Sequence, residues 1–339
     1  MLVTYIRSSS YNNYDYCQQQ YYINYVLGHP TSSGKKALMG TIVHKVMECL
    51  GAGKKHIQDH PRKKLIINDE VVGDISVPKK DLYKDSFVDD LFLRSYENYI
   101  ADSSHKFTKG DKKNCKDWVW LALNFNEGQF DPRNRFIVAS EPHFDIEIKE
   151  PWAKYEQTLP NGEVLSGNLA IKGTIDLITR ASDGVLEAID WKTGRRIDWA
   201  SGKEKDLKSL AKDPQLLLYH FAISEMFSDY KQSIMTIFYI KDGGPFSLCF
   251  DDLDKQEFLG MLKDRFEEIK ANDSPKMLSE NQAHWKCTKL CDFYKNNWEG
   301  TDTNICRHVS ECLKKEGIEG TTSKCTKQGF NIGHYDAPG

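Results

Sequence analysis

Two aspartates and a lysine lie in a segment whose pattern predicts two adjacent strands. Asp176 belongs to the first strand, a turn signal follows at residues 183–184, and Asp190 and Lys192 belong to the second strand. Residues two apart in a strand share a face, so the Asp190 carboxylate and the Lys192 ammonium group are expected side by side. Asp176 is expected opposite them at about the same depth.

These residue types suit one kind of chemistry. Two carboxylates at one point repel each other unless a cation lies between them, and Mg²⁺ or Mn²⁺ takes oxygen ligands of this kind. A neighbouring lysine can orient or deprotonate a water molecule, or neutralise charge that builds on a phosphate. The segment therefore indicates metal-assisted hydrolysis of a phosphodiester bond.

The turn between the strands decides whether the two aspartates can meet. With a two-residue loop at 183–184 and regular pairing, Asp176 and Asp190 would point to opposite faces of the sheet. A shared metal requires an odd loop, most simply residues 182–184 with Gly184 in a left-handed conformation, or else an equivalent β-bulge.

A helix is expected after the hairpin. Asp213 and Pro214 form an N-cap and first-turn signal, which places Gln215 and Tyr219 one turn apart on the same face. A lone Asp-x-Lys triplet is usually a solvated strand face, but here Gly-x-x-Asp precedes it and Gln-x-x-x-Tyr follows it.

In this order the motifs resemble the PD-(D/E)XK nuclease superfamily, most of all the RecB-type nuclease domain. They also resemble the small iron–sulphur exonucleases related to the CRISPR-adaptation nuclease, a group common in phages. The resemblance implies an α/β fold with a mixed central sheet flanked by helices. It assigns metal binding to Asp176 and Asp190, catalysis to Lys192, and support of the site or DNA contact to Gln215 and Tyr219.

Two further residues are candidates for the metal site. His44 lies beside the apolar stripe of a predicted helix, where a histidine is more often a core or boundary residue than a ligand. The resemblance assigns it to the metal, because Gly-x-x-x-His matches the RecB-type motif, and imidazole suits Mn²⁺ better than Mg²⁺. Glu141, which precedes a proline, marks a bend or a strand edge and is either a metal-assisting or a surface residue.

The chain has nine cysteines and no secretion signal, which favours thiols or metal ligands over disulfides. The resemblance implies a [4Fe–4S] cluster that joins the two ends of the chain, with zinc as the alternative. Its ligands would be Cys17, Cys287, Cys291 and Cys306. Cys-x3-Cys replaces the commoner Cys-x-x-Cys, and Cys312 competes for the fourth position. Three others are expected to be core thiols: Cys49, Cys115 and Cys249.

Composition sets the outer limits of the interpretation. A chain of 339 residues that is 40% hydrophobic can bury a full core, and no apolar run reaches the length of a membrane span. We expect a cytoplasmic protein, in the host cytoplasm if it is phage-encoded. The net charge of −3 does not exclude a nucleic-acid partner, because lysines need only line the cleft.

We expect one nuclease domain over residues 1–339. It would contain the cluster cysteine and the histidine motif (1–50), a helical insertion (51–135), the catalytic core (136–250), and a C-terminal helix with a cysteine-rich region (251–339). The pattern predicts helices at 87–100, 118–125 and 251–272, and strands at 135–148 and 233–240.

The sequence thus indicates a DNA exonuclease of phage or bacterial recombination, replication or repair, which acts with other proteins of those processes. One alternative is a CRISPR-adaptation-type nuclease that processes DNA ends. The other is a non-catalytic metal-containing protein that binds nucleic acid, in which one or more of the catalytic residues would be expected to be missing. Cleavage polarity, strand preference, the balance of end and internal cutting, and oligomeric state are open.

Overall fold

The chain folds around a five-stranded mixed sheet. The computed structural model describes residues 1–158, 162, 164–198, 201–230, 232–278 and 285–327. Part of the C-terminal region expected from the sequence therefore lies outside the described residues. The strands, in chain order, are β1 (Tyr5–Ile6), β2 (Leu65–Ile67), β3 (Ile75–Val77), β4 (Ile137–Ser140), β5 (His143–Glu147), β6 (Lys154–Thr158), β7 (Val164–Asn168), β8 (Ala170–Thr174), β9 (Leu177–Ser182), β10 (Val185–Lys192), β11 (Gln232–Tyr239) and β12 (Gly244–Phe250).

Helices account for most of the rest of the described chain. In chain order the α-helices are α1 (Ser8–Tyr16), α2 (Gln18–Tyr21), α3 (Lys35–Asp59), α4 (Asp85–Ala101), α5 (Lys109–Asn124), α6 (Leu207–Leu210), α7 (Pro214–Met226), α8 (Asp252–Ala271), α9 (Asp292–Lys295) and α10 (Ile305–Cys325). Among the described residues, no helix has both the length and the apolar character needed to cross a membrane.

Strand β10 occupies the middle of the central sheet, whose order is β12-β11-β10-β9-β4. It runs parallel to β11 and antiparallel to β9. All six of its interior residues are buried, because helices cover both faces of the sheet. This arrangement confirms the mixed α/β architecture expected from the sequence.

The two faces of the sheet pack against different helices. Leu186 and Ala188 of β10 belong to a core cluster with α7, α8 and the N-terminal segment. Ile189 and Trp191 alternate with them and belong to a second cluster with α3, α4 and α5. This alternation fixes the register of β10, because a slip by one residue would exchange the two sets.

The hairpin that carries the two aspartates closes through a bulge. Ser182 pairs with Val185, so the loop is residues 183–184, and Gly184 adopts the left-handed conformation with φ of 77°. The register then shifts, so that Leu186 pairs with Arg180. The three-residue loop that we expected is therefore wrong, while the bulge given as its equivalent is confirmed.

The bulge sets which faces the aspartates share. Ile189 pairs with Leu177 at the last hydrogen-bonded position of the hairpin. Continuing the register by one residue places Asp176, which lies just outside β9, opposite Asp190, whose position on β10 alternates with Ile189 and Trp191 and is therefore on the side of α7. The extra residue of the bulge thus shifts the pairing by one position, which brings the positions of Asp176 and Asp190 opposite each other.

The strand expected at 135–148 is wrong as one continuous element. It consists of β4, which pairs with β9 in the central sheet, and β5, which pairs with β8 in a separate three-stranded sheet. The break falls at Glu141, whose φ of 48° is a conformation that few non-glycine residues adopt, immediately before Pro142. The bend predicted at Glu141 is confirmed.

Most of the helix predictions agree with the structure. Helices α4 and α8 match the predicted ranges, and Asp213 caps α7 with Pro214 in its first turn. The helix expected at 118–125 begins earlier, at Lys109. Its missed start signal is a capping box, in which Thr108 and Asp111 satisfy each other's backbone N–H groups.

Candidate active site

Asp176 lies just before β9, where its carboxylate is held by two neighbours. Its Oδ2 accepts a hydrogen bond from the Trp191 backbone N–H at 2.8 Å, and its Oδ1 lies 3.3 Å from His44 Nδ1. Burial by itself would raise the pKa of Asp176. The charges of His44 and Lys192 and the backbone hydrogen bond outweigh burial, so the pKa is lowered overall.

Asp190 is almost fully buried, with 3% of its surface exposed. Its Oδ1 accepts hydrogen bonds from Lys192 Nζ and Gln215 Nε2, both at 2.9 Å. Its Oδ2 lies 2.7 Å from Lys192 Nζ but has no aligned hydrogen-bond donor. Burial, together with the charge of Asp176, raises the pKa of Asp190 to about 6.

Lys192 carries the positive charge that balances the site. Burial by itself would lower its pKa, but Asp190 and Asp176 have the opposite effect and raise the pKa overall. The side chain is therefore an ammonium group at neutral pH. In this state it can donate hydrogen bonds and stabilise negative charge, but it cannot accept a proton from water.

Helix α7 supports the Asp190 carboxylate through a short chain of contacts. The Gln215 amide donates one hydrogen bond to Asp190 and another to the Tyr219 hydroxyl, at 2.9 Å each. The Tyr219 ring in turn meets the Phe144 ring edge to face. The one-turn spacing read from the sequence thus places Gln215 on the carboxylate and Tyr219 behind Gln215.

His44 reaches the site because α3 approaches the end of β10 closely. A Cβ atom on Gly40 would lie 2.8 Å from Thr193 Oγ1, so a larger residue at position 40 would have to displace the Thr193 side chain or the helix. His44 follows one turn later on the same face. Burial would lower the pKa of His44, but the adjacent Asp176 carboxylate raises it overall.

The sequence analysis missed Glu48, which lies one turn beyond His44 on α3. Burial and a hydrogen bond to Glu141 raise the pKa of Glu48 to about 7. Lys45 approaches Glu48 at 2.5 Å and Asp69 at 3.0 Å. The i,i+4 spacing from His44 on a predicted helix was the available signal. Glu141 itself lies on the cleft, and its backbone N–H donates to the Asp176 carbonyl at 3.0 Å.

His44, Glu141, Asp176 and Lys192 line a cleft of about 1000 Å³, whereas Asp190 and Gln215 are not among its lining residues. Basic side chains share its wall with the acidic ones, and the sequence analysis did not single them out. They are Arg7, His143 and Lys172. The wall also carries Asp145, whose carboxylate lies 2.8 Å from Lys172 Nζ, so basic and acidic groups are mixed on the wall of the cleft.

The donor set fits a divalent cation. The Asp176 carboxylate and the His44 imidazole line the cleft, and a buried oxygen of the neighbouring Asp190 has no aligned donor. The ligand atoms of His44, Asp176 and Asp190 are not gathered within 4.8 Å of one another, since the described residues contain one such group, and it lies elsewhere. Asp190 instead points towards Lys192, so a cation would compete with the ammonium group for this carboxylate.

A second cavity, of about 220 Å³, lies between the ends of the chain. Four cysteines line it, which are those assigned by the resemblance: Cys17, Cys287, Cys291 and Cys306. Burial raises the pKa of Cys291 to about 11 and that of Cys306 to about 12. Cys312 is not among the lining residues.

Local backbone geometry brings these cysteines together. Cys17 is not inside a helix, as its spacing had indicated, but has an extended conformation between α1 and α2. Cys287 lies in a π-helical turn, and Cys291 caps α9. Four sulfurs bound to one tetrahedral zinc ion lie about 3.8 Å from one another. Here no three of the four sulfurs lie within 4.8 Å of one another, so their spacing is wider than a single zinc ion requires. A four-thiol set around this volume fits a multi-iron cluster.

The three cysteines that were expected to be core thiols do not share one environment. Cys49 and Cys115 are buried, as expected of core thiols. Cys249 is exposed on β12, so its assignment to the core is wrong.

Residues 8–295 match the family described as the PD-(D/E)XK nuclease superfamily, and the chain belongs to that superfamily. This confirms the superfamily indicated by the motifs. Among solved structures, the chain is similar to a protein from Eubacterium rectale titled "putative exonuclease", with 12% identity, a TM-score of 0.46, and coverage of 88% of this chain and 90% of that one.

The chain is also similar to the solved structure of SSO0001, with 15% identity, a TM-score of 0.24, and coverage of 75% of this chain and 91% of that one. No curated protein sequence matches the chain.

The glycine of the Gly-x-x-Asp motif generates a prediction. Gly173 pairs with Phe144 across two strands, and a Cβ atom on it would lie 2.6 Å from the Phe144 ring. Gly173→Ala should therefore displace this ring and destabilise the fold by about 1–3 kcal/mol, measured by urea unfolding. Gly194→Ala is the matched control in the same cleft, because nothing lies within 4 Å of its Cβ position. Equal stability of both variants would contradict the packing role.

Proposed function

We propose that the protein is a divalent-metal-dependent DNA exonuclease that hydrolyses phosphodiester bonds in phage or bacterial recombination, replication or repair. One observation carries the proposal. The hairpin register, continued by one residue, sets Asp176 opposite Asp190, and His44, Asp176 and Lys192 line one cleft. The preference for DNA ends rests on the resemblance to iron–sulphur exonucleases.

His44, Asp176 and Asp190 would hold the metal ion. When bound, the ion would supply Lewis-acid stabilisation of phosphate charge and a more acidic water. The chain's own groups act around it. The Lys192 ammonium group donates hydrogen bonds and stabilises negative charge on the phosphate, while Gln215 orients the Asp190 carboxylate.

The energetic cost of the site supports a catalytic role. Asp190 is buried beside a second carboxylate, and Lys192 is drawn into the same pocket. Removing such charges from water costs several kcal/mol per ion, which a packed apolar core would avoid. A module that only bound nucleic acid would not need this arrangement, whereas strongly shifted groups in a cleft are typical of active sites.

We further propose that Cys17, Cys287, Cys291 and Cys306 hold a [4Fe–4S] cluster. The support is that four thiols from both ends of the chain face one cavity with a volume larger than a single ion needs. The cluster would tie the N-terminal helices to the C-terminal region. It takes no part in the hydrolysis.

The assignment of the catalytic groups predicts two loss-of-activity variants. Asp190→Asn removes the buried charge with little change in shape, and Lys192→Gln removes the cation. Each should lower the cleavage rate by about 10²-fold to 10³-fold or more, because an interaction aimed at developing charge contributes about 3–4 kcal/mol. The assay uses end-labelled linear and closed circular DNA, single- and double-stranded, with Mg²⁺ or Mn²⁺.

Asp183→Asn is the matched control, since it removes a carboxylate from the loop of the same hairpin. Undiminished cleavage by the Asp190 variant would refute the site. Cutting of closed circles at the same rate as linear DNA would refute the preference for ends and leave the site standing.

The raised pKa of Asp190 predicts that metal binding depends on pH. A cation needs the ionised carboxylate, so binding should weaken as the pH falls through about 6, the pKa to which burial and Asp176 raise this group. Protonation of His44 acts in the same direction. Mn²⁺ affinity measured by calorimetry should be about tenfold lower or more at pH 5 than at pH 7.5. A constant affinity over this range would contradict the assignment of Asp190 as a ligand.

The cluster assignment predicts colour and iron. Protein purified without oxygen should be brown, with broad absorbance near about 400 nm, and Cys17→Ser should remove both the colour and the iron. Cys249→Ser is the control, because this thiol is exposed and lies on β12. A colourless protein with stoichiometric zinc in the four-cysteine site would refute iron there.

A further inference from the structure

A third group of metal-binding side chains lies outside both sites described above. His308, Cys312 and Cys325 each offer one ligand atom, and the three atoms lie within 4.8 Å of one another. Among the described residues, this is the one such group of His, Cys, Asp and Glu side chains. We propose that these residues form a zinc site that clamps the C-terminal helices.

The local fold brings the three residues together. His308 and Cys312 lie one turn apart, on the same face of the first half of α10. The helix then bends sharply at Gly317, where φ is 68° and ψ is −173°. This bend folds the second half back, so that Cys325 at its end meets the other two side chains.

The spacing matches the geometry of zinc. With Zn–N bonds of about 2.0–2.1 Å and Zn–S bonds of about 2.3 Å, a tetrahedral ion separates a nitrogen and a sulfur ligand by roughly 3.6 Å. The observed distance from His308 Nε2 to Cys312 Sγ is 3.7 Å. Thiol and imidazole ligands also bind zinc in preference to Mg²⁺ or Ca²⁺.

The surroundings hold the ligands in place. The Trp298 ring stacks on His308 with ring centroids 4.3 Å apart and an angle of 12° between the planes. Cys325 is buried, with 1% of its surface exposed, and its carbonyl accepts a hydrogen bond from His29 Nε2 at 2.7 Å. His308 and Cys312 are half-buried, and a water molecule would be the fourth ligand of a tetrahedral ion.

The clamp would stabilise the contact between the two ends of the chain. The second half of α10 packs on the N-terminal segment, where the Tyr22 hydroxyl lies 2.8 Å from Thr322 Oγ1. Lys327 N donates to the Leu27 carbonyl at 3.0 Å immediately after the helix. A metal ion that fixes the bend at Gly317 would hold these contacts, independently of the four-cysteine cavity.

This geometry also separates Cys312 from the cluster ligands. Cys306 lines the four-cysteine cavity, whereas Cys312 lies beside His308 and Cys325. The rival occupant of the site is a Cys312–Cys325 disulfide. Such a bond would leave the imidazole at 3.7 Å without a role.

Metal analysis of the full-length protein tests the proposal. Zinc bound by wild-type protein should fall by about one equivalent per chain in Cys312→Ser and in His308→Gln. It should be unchanged in Cys249→Ser, which removes an exposed thiol, and in Cys17→Ser, which removes a cluster cysteine. Co²⁺ added to zinc-depleted wild-type protein should give the intense visible bands of a tetrahedral thiolate site, and Cys312→Ser should lose them.

Two results would overturn the proposal. One is zinc content that is unchanged in both Cys312→Ser and His308→Gln. The other is a Cys312–Cys325 disulfide in freshly purified protein, detected by mass spectrometry of peptides prepared under conditions that block free thiols. If either variant fails to fold, release of zinc by a mercurial thiol reagent is measured on Cys17→Ser protein, whose four-cysteine site is incomplete, and no release of zinc counts against the site.

Discussion

The structure of the candidate active site depends on one electrostatic constraint, the burial of the Asp190 carboxylate opposite Asp176. Burial and the charge of Asp176 both disfavour the ionised form of Asp190, which raises its pKa. In the described structure Lys192 and Gln215 donate hydrogen bonds to the Asp190 carboxylate. His44 and the Trp191 backbone N–H contact the Asp176 carboxylate. Helices α3 and α7 and strand β10 each contribute a side chain or a backbone group that contacts one of these two carboxylates.

The elements supply these groups from both faces of the sheet. Helix α7 brings Gln215 over Asp190 from one face, because Asp213 and Pro214 fix where the helix begins. Helix α3 packs against the other face and reaches Asp176 with His44 past the end of the sheet, which requires the close approach at Gly40. The bulge in the hairpin then sets the position of Asp176 opposite that of Asp190. A change in any of these three elements would separate the charges from their partners.

Much of this arrangement could be predicted from sequence, because it follows from local rules. Strand parity required an odd loop or a bulge between Asp176 and Asp190, and the Asp-Pro signal placed Gln215 and Tyr219 on one face of α7. The choice between loop and bulge could not be predicted, because both satisfy parity, and packing of the flanking strands decides between them.

Contacts between distant segments were harder to predict. The contact between Glu48 and Glu141 joins a helix to a strand bend far away in sequence, and no periodic pattern records it. The grouping of His308 and Cys312 with Cys325 depends on the bend at Gly317 inside what reads as one helix. Cysteine spacing alone left Cys306 and Cys312 as competitors, and only the three-dimensional structure places them in different environments.

The central claim is that Asp176 and Asp190 share a divalent cation. The most direct measurement is anomalous X-ray diffraction from crystals of the protein grown with Mn²⁺. Our account predicts one strong peak between the two carboxylates and His44, with the Lys192 ammonium group moved away from Asp190. A peak bound elsewhere in the cleft, with the Lys192–Asp190 ion pair intact, would contradict it.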